Sequence, residues 1–125
     1  MLSGVCIGTN DLEKAGVFYD AVLSTIGMSR AVVTPEEIGY AAADGAVRFF
    51  VLKPYDKKSA SFGNGTQVMF YAPDQDAVQK FHEAAIQNGG SDEGVSGPRD
   101  YSEGYYGAYA RDLDGNKLHV AVPTA

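Results

Sequence analysis

Few side chains in this sequence have the chemistry for catalysis or ligand recognition. His82 and His119 are its two histidines, each able to carry a proton near neutral pH or to ligate a metal. Cys6 is its single cysteine, and a thiol becomes a nucleophile only when a neighbour draws off its proton. No basic residue stands near it in sequence, so it reads as a small space-filling group. Arg99 lies in the run Gly97-Pro98-Arg99-Asp100-Tyr101, where its guanidinium can either grip an anionic group through two hydrogen bonds or pair with Asp100, Asp92 or Glu93. Tyr105, Tyr106 and Tyr109 offer rings for stacking, but on a strand they must divide between two faces, so at least one packs against the core or a helix. Asp112-Leu113-Asp114-Gly115-Asn116 has the look of a calcium loop without its full ligand series or terminal glutamate, and reads instead as a hairpin turn.

The elements that must position these groups come in two copies. Asp11-Leu12-Glu13 with Phe18-Tyr19 reappears 63 residues later as Asp74-Gln75-Asp76 with Phe81-His82. A short apolar run precedes each, Val5-Cys6-Ile7 and Val68-Met69-Phe70, and an Asp-Gly pair follows each, Asp44-Gly45 and Asp114-Gly115. Such self-similarity marks a duplicated supersecondary unit. In the first unit, Leu12, Ala15, Phe18, Tyr19, Val22 and Ile26 recur at threes and fours, which predicts a helix capped by Asn10 or Asp11 and stopped at Gly27. Strands are predicted at Val5–Ile7, Ala31–Val33, Ile38–Ala42 and Val47–Leu52. The second unit repeats the order with a strand at Gln67–Tyr71, a helix from Asp74 to Gly89-Gly90, and strands at Tyr105–Arg111 and Lys117–Val122. His82 falls on that helix beside Phe81, which makes it a surface or packing residue. Gly94–Gly104 is the least regular stretch and accommodates the seven extra residues between the second pair of landmarks. The segment from Lys53 to Gly65, rich in lysine, serine and glycine, connects the units.

Composition excludes several roles. The 125 residues carry 16 acidic and 10 basic side chains, a net charge of −6, with the basic ones scattered. Binding to nucleic acid or to an anionic membrane surface is disfavoured. No apolar run is long enough to span a bilayer and the N-terminus lacks the parts of a signal peptide, so a cytoplasmic protein is expected.

Taken in order, Asp11-Leu12-Glu13-Lys14-Ala15 with Phe18-Tyr19 and Val22-Leu23, the helix end Gly89-Gly90, the run Gly97–Tyr101 with Gly104-Tyr105-Tyr106, and Arg111-Asp112-Leu113-Asp114-Gly115-Asn116 resemble the vicinal oxygen chelate superfamily, which includes glyoxalase I, bleomycin-resistance proteins, fosfomycin-resistance enzymes and extradiol dioxygenases. The resemblance implies an α+β fold: two tandem βαβββ modules forming a curved mixed sheet around a concave cavity, with the helices outside. It makes 1–125 one domain, with module 1 at about 1–53, a linker at 54–65 and module 2 at about 66–125. It also implies a homodimer, in which the modules pair within one chain or exchange between two, and a flap over the cavity from the loop of Arg99 and Tyr101.

In many such proteins a divalent metal sits on the first and last strands of the modules. Counting back seven residues from Asp11 and Asp74, and forward five from Asp44 and Asp114, puts those positions at Gly4, Gln67, Phe49 and His119. Glycine and phenylalanine have no donor atom, and the remaining amide and imidazole are both neutral. The expectation is therefore a protein without the usual metal, binding a small molecule with Cys6, Phe49, Gln67, Met69, Arg99, Tyr101 and His119, and with Gln67 and His119 hydrogen-bonded to each other beside Tyr71. The net charge would suit a cationic ligand. The alternative is an enzyme of lyase, isomerase or dioxygenase type, with His119 as catalytic base or as ligand to Zn, Ni, Fe or Mn together with Gln67.

Overall fold

The structure, a computed structural model describing residues 1–123, contains two βαβββ modules. The last two positions of the second module lie outside the described residues. Module 1 comprises β1 (Val5–Gly8), α1 (Leu12–Ser24), β2 (Ser29–Val33), β3 (Glu37–Ala41) and β4 (Val47–Leu52). Module 2 comprises β5 (Gln67–Tyr71), α2 (Gln75–Gln87), β6 (Ser91–Pro98), β7 (Tyr106–Arg111) and β8 (Lys117–Ala121). The sheets are ordered β1-β4-β3-β2 and β5-β8-β7-β6, each with one parallel pair between its first and last strand.

Each helix starts where an aspartate can accept a backbone proton. Asp11 accepts from the Lys14 amide and Asp74 from the Ala77 amide, satisfying donors that the first turn leaves free. Each then buries one face: Ala15, Phe18, Tyr19, Val22 and Leu23 from α1, and Ala77, Val78, Phe81 and Ala85 from α2. Burying such large side chains supplies about 2 kcal/mol apiece against the entropy of folding. Gly90, just past α2, is needed for closeness: a Cβ there would lie 2.5 Å from the Arg111 carbonyl oxygen and 3.0 Å from the Phe18 ring. That gap lets the end of α2 settle on β7 and on the other module's helix.

The core runs unbroken through both modules. Phe49 of β4 meets Tyr19 at 5.1 Å and Phe70 of β5 at 5.3 Å between ring centres, and Phe70 meets Phe81 at 5.7 Å. A polar clasp closes the same seam. Asp112, 6% exposed, accepts from the Tyr19 hydroxyl at 2.6 Å and from the Asn116 side-chain amide at 2.9 Å, as well as from the backbone amides of Asp114 and Asn116. Asn116 in turn donates to the Gly8 carbonyl at 3.0 Å, and Asp114 accepts from the Asn10 amide at 2.9 Å. The Asp-Gly turn, with Gly115 at a φ of +87° that glycine tolerates, thus joins the modules as well as reversing the chain.

Two details depart from simple strand alternation. Period-two alternation along β1 puts Val5 and Ile7 together on the helix side; Ile7 is buried, whereas Val5 is 41% exposed at the sheet rim. Gly94–Gly104, expected to be irregular, is so from Arg99 onward, but Gly94–Pro98 belongs to β6, whose pairing with β7 slips between Asp92 and Gly94 and again between Gly94 and Gly97. Such slips remove the period-two alternation by which a strand is recognised.

Candidate functional site

On the side of module 2 opposite α2, β5 presents Gln67, Met69 and Tyr71, while β8 presents Lys117, His119 and Ala121 in register beside them. Val68 and Leu118, of opposite parity, are buried toward the helix. A cavity of ≈ 240 Å³ opens on this face, lined by Met69, Phe70, Tyr71, Tyr105, His119 and Ala121. Met69 and Tyr71 are largely exposed at its mouth. It adjoins, through Met69, Phe70 and Tyr71, a groove of ≈ 320 Å³ between the edges of the two sheets, where Val5 and Arg48 of module 1 form the far wall.

His119 is the centre of the site. It is 3% exposed, its ring stacks on Tyr109 at 4.2 Å with 24° between planes, and its Nε2 shares a 2.9 Å hydrogen bond with the Tyr105 hydroxyl. Among the described residues its Nδ1 is the one buried side-chain nitrogen or oxygen with no hydrogen-bond partner. Tyr101 packs edge-on to Tyr105 at 4.9 Å and shares a 2.6 Å hydrogen bond with the Tyr109 hydroxyl. Burial raises the Tyr105 phenol, and burial together with the Tyr101 hydrogen bond pushes Tyr109 up to about 12, so both remain protonated at neutral pH.

Desolvation, reinforced by the nearby Arg99 and Lys117 cations, lowers the His119 pKa below the ordinary 6.5. The folded chain therefore binds the imidazole proton more weakly than the unfolded chain does. This contribution to stability is intact above about pH 6.5 and is lost as pH falls toward the depressed folded value. Proton NMR of the imidazole should show His119 titrating below 6.5. A midpoint above 6.5 would refute the assigned environment.

The expected site residues do not all gather here. Met69 and His119 line the cavity, and Tyr101 stands one ring away. Cys6 is exposed on module 1, opposite Phe50 in the β1–β4 ladder. Phe49 is not on this face: it is 1% exposed and lies in the core between Tyr19 and Phe70, touching only the floor of the groove. The ladders pair Met69 with His119 and Cys6 with Phe50, so the counterpart of His119 is Phe50, whose ring lies over Gly39. The reason is a bulge: Tyr40 pairs with Phe49 but Ala41 with Val47, leaving Arg48 as an extra residue that shifts parity by one. Gln67 is exposed at the start of β5 opposite Lys117, and the partner of His119 is Tyr105 rather than Gln67.

Arg99 forms no ion pair with the carboxylates near it in sequence among the described residues. It donates to the carbonyls of Gly97, Pro98 and Val95, with its guanidinium 5.6 Å from the centre of the Tyr109 ring. It thereby holds the loop in shape. Two of the three carboxylates matched to it in sequence are engaged elsewhere, Asp92 with His82 at 2.9 Å and Glu93 with Arg111. Tyr105 and Tyr109 belong to the site, whereas Tyr106 turns to the helix and bonds Gln79 at 2.9 Å. Their spacing of four, even and so on one face of an extended chain, was the signal for this. A larger trough of ≈ 560 Å³ borders the start of α1, but it is open, and its Arg30 is already bonded to Asp20.

Comparison with known proteins settles the family. Residues 2–120 match the model of the Glyoxalase/Bleomycin resistance protein/Dioxygenase superfamily. The chain belongs to that superfamily. Among solved structures, a glyoxalase/bleomycin resistance protein from Albidiferax ferrireducens T118 is 37% identical over 99% of both chains, with a TM-score of 0.89. More distant likenesses, in fold alone, include a lactoylglutathione lyase from Agrobacterium tumefaciens (18% identity, 98% of this chain and 92% of that one, TM-score 0.66) and the fosfomycin resistance protein FosX from Listeria monocytogenes (16%, 99% and 93%, TM-score 0.71). A comparison with curated protein sequences gave no match. No described helix is long and apolar enough to cross a membrane.

Proposed function

We propose that this member of the superfamily binds a small molecule in the cavity beside His119, without a metal ion. The observation that carries the reading is the combination of an apolar, preformed cavity with a few convergent polar groups at its wall, the Tyr105 hydroxyl and the His119 imidazole, which is the usual composition of a ligand site. The donor set does not suit a divalent cation. Gly4 has no side chain, Phe49 and its neighbour Phe50 have no donor atom, and His119 has one nitrogen bonded to Tyr105 and the other buried. Among the described residues no three His, Cys, Asp or Glu side chains gather as a metal-binding group.

The reading is tested by NMR of the full chain with a library of one-ring compounds. Signals of Met69, Tyr71, Tyr105 and His119 should shift together. Shifts confined to the trough at the start of α1, or none at all, would sink it.

The partner in assembly is a second copy of the chain. β1 and β5 are edge strands, and Val5, Met69 and Tyr71 expose apolar surface beside them, a combination that invites strand or face pairing. Sedimentation equilibrium should return a dimer; a monomer at high micromolar concentration would contradict this.

A further inference from the structure

The charge of the cavity's surroundings is opposite to that of the whole chain, and this bears on what the cavity accepts. The other three arginines each face a carboxylate: Arg30 with Asp20, Arg48 with Asp44, and Arg111 with Glu93. Arg99 bonds only neutral carbonyls, and Lys117 has no carboxylate within ion-pair distance among the described residues. Both cations sit over the same ring, Tyr109, at 5.6 and 5.1 Å, and His119 stacks on that ring at 4.2 Å. No carboxylate lines the cavity.

The hydrogen-bond pattern adds a donor. A buried N–H without an acceptor is rarer and costlier than an acceptor left unfilled. Since Nδ1 of His119 has no partner, the neutral ring is better satisfied with its proton on Nε2, donating to the Tyr105 oxygen. The Tyr105 O–H is then free to donate into the cavity. In the Tyr101–Tyr109 pair, likewise, whichever hydroxyl accepts keeps its own proton for another partner.

We infer that the cavity takes a one-ring organic anion, an aromatic carboxylate or phenolate, whose charged oxygen accepts a hydrogen bond from Tyr105 in the field of Arg99 and Lys117. The inference rests on the binding reading above and narrows it. A neutral donor backed by unneutralised cations favours an anion while placing no bare charge in the apolar cavity. The space of ≈ 240 Å³ between Met69, Tyr71 and Ala121 has room for one ring.

Three probes with the same ring separate the possibilities: benzoate, benzamide and benzamidinium, each titrated into the full chain and followed at the His119 and Tyr105 signals. Benzoate should bind about tenfold or more tightly than benzamide, the ratio expected for a hydrogen bond to a charged oxygen, with benzamidinium weakest. Tyr105→Phe should reduce benzoate affinity about tenfold and leave benzamidinium unchanged, its dispersed spectrum showing that the fold is kept. Lys117→Gln, at the half-buried start of β8, should narrow the gap between benzoate and benzamidinium. Benzamidinium binding as well as or better than benzoate would overturn the inference while leaving the binding reading in place. If neither these probes nor any compound of the one-ring library shifts those signals, both fail.

Discussion

Replacing Asp112 with alanine should cost about 3–5 kcal/mol of stability, the range for removing one partner from a buried charged network. The loss is large because of what stays behind. The Tyr19 hydroxyl, the Asn116 side-chain amide and two backbone amides all donate to this carboxylate, and its removal leaves the Tyr19 hydroxyl and the Asn116 backbone amide buried without an acceptor and takes one acceptor from each of the other two. The damage also crosses the seam between modules, since Tyr19 belongs to α1 and Asn116 holds the Gly8 carbonyl. Thermal unfolding should drop by roughly 10–20 °C. A drop of a degree or two would show that the clasp is dispensable. Tyr19→Phe, which removes one donor and leaves the carboxylate with three, should cost about 1–2 kcal/mol. Burial, and then Asp112, raise the Tyr19 phenol well above its ordinary value. The stability linked to that proton is present below about pH 10 and is lost as pH rises beyond it. Tyr19→Phe should therefore flatten the alkaline limb of the stability profile.

The second large effect separates two adjacent phenylalanines. Phe49→Ala should cost about 3–5 kcal/mol, as truncation of a fully buried ring does, because Phe49 is the link between Tyr19 and Tyr40 of module 1 and Phe70 of module 2. Phe50→Ala, at a half-buried ring on the opposite face, should cost about 1 kcal/mol. Urea unfolding of the two variants measures the difference directly. Equal losses, or a larger one at Phe50, would mean that β4 has the parity read from the sequence and not the one the bulge imposes.

These two residues also show where sequence reasoning stopped. The duplication was legible because Asp11 and Asp74 recur with the same apolar period behind them, and those caps and stripes are local properties of the chain. The family resemblance followed from the order of such local features. Phe49 was misplaced because counting from one Asp-Gly turn to the other assumes equal strands, and the bulge at Arg48 adds one residue that no local pattern announces. β6 was hidden for the same reason, through two slips in its ladder. Asp112 read as an ordinary turn residue because its most telling partner, Tyr19, is 93 positions away.

Of the site itself, His119 and Met69 were visible from strand parity. The part Arg99 plays in its loop was not, since its guanidinium bonds three carbonyls of that loop, a geometry that composition does not reveal. Net charge describes the chain as a whole, at −6, whereas the charges acting on His119 are those of Arg99 and Lys117. The local field, and not the total, is what a bound molecule meets.

The functional reading rests on His119 serving a ligand cavity and not a metal. It is tested most directly by following the His119 ring signals during titration of the full chain with Zn²⁺ and then Ni²⁺, before and after addition of a binding one-ring compound. The account predicts that an equimolar amount of either metal leaves the His119 signals in place and that the compound's shifts are the same in the presence of a chelator. Stoichiometric capture of the metal by His119, or ligand shifts that disappear with the chelator, would contradict it.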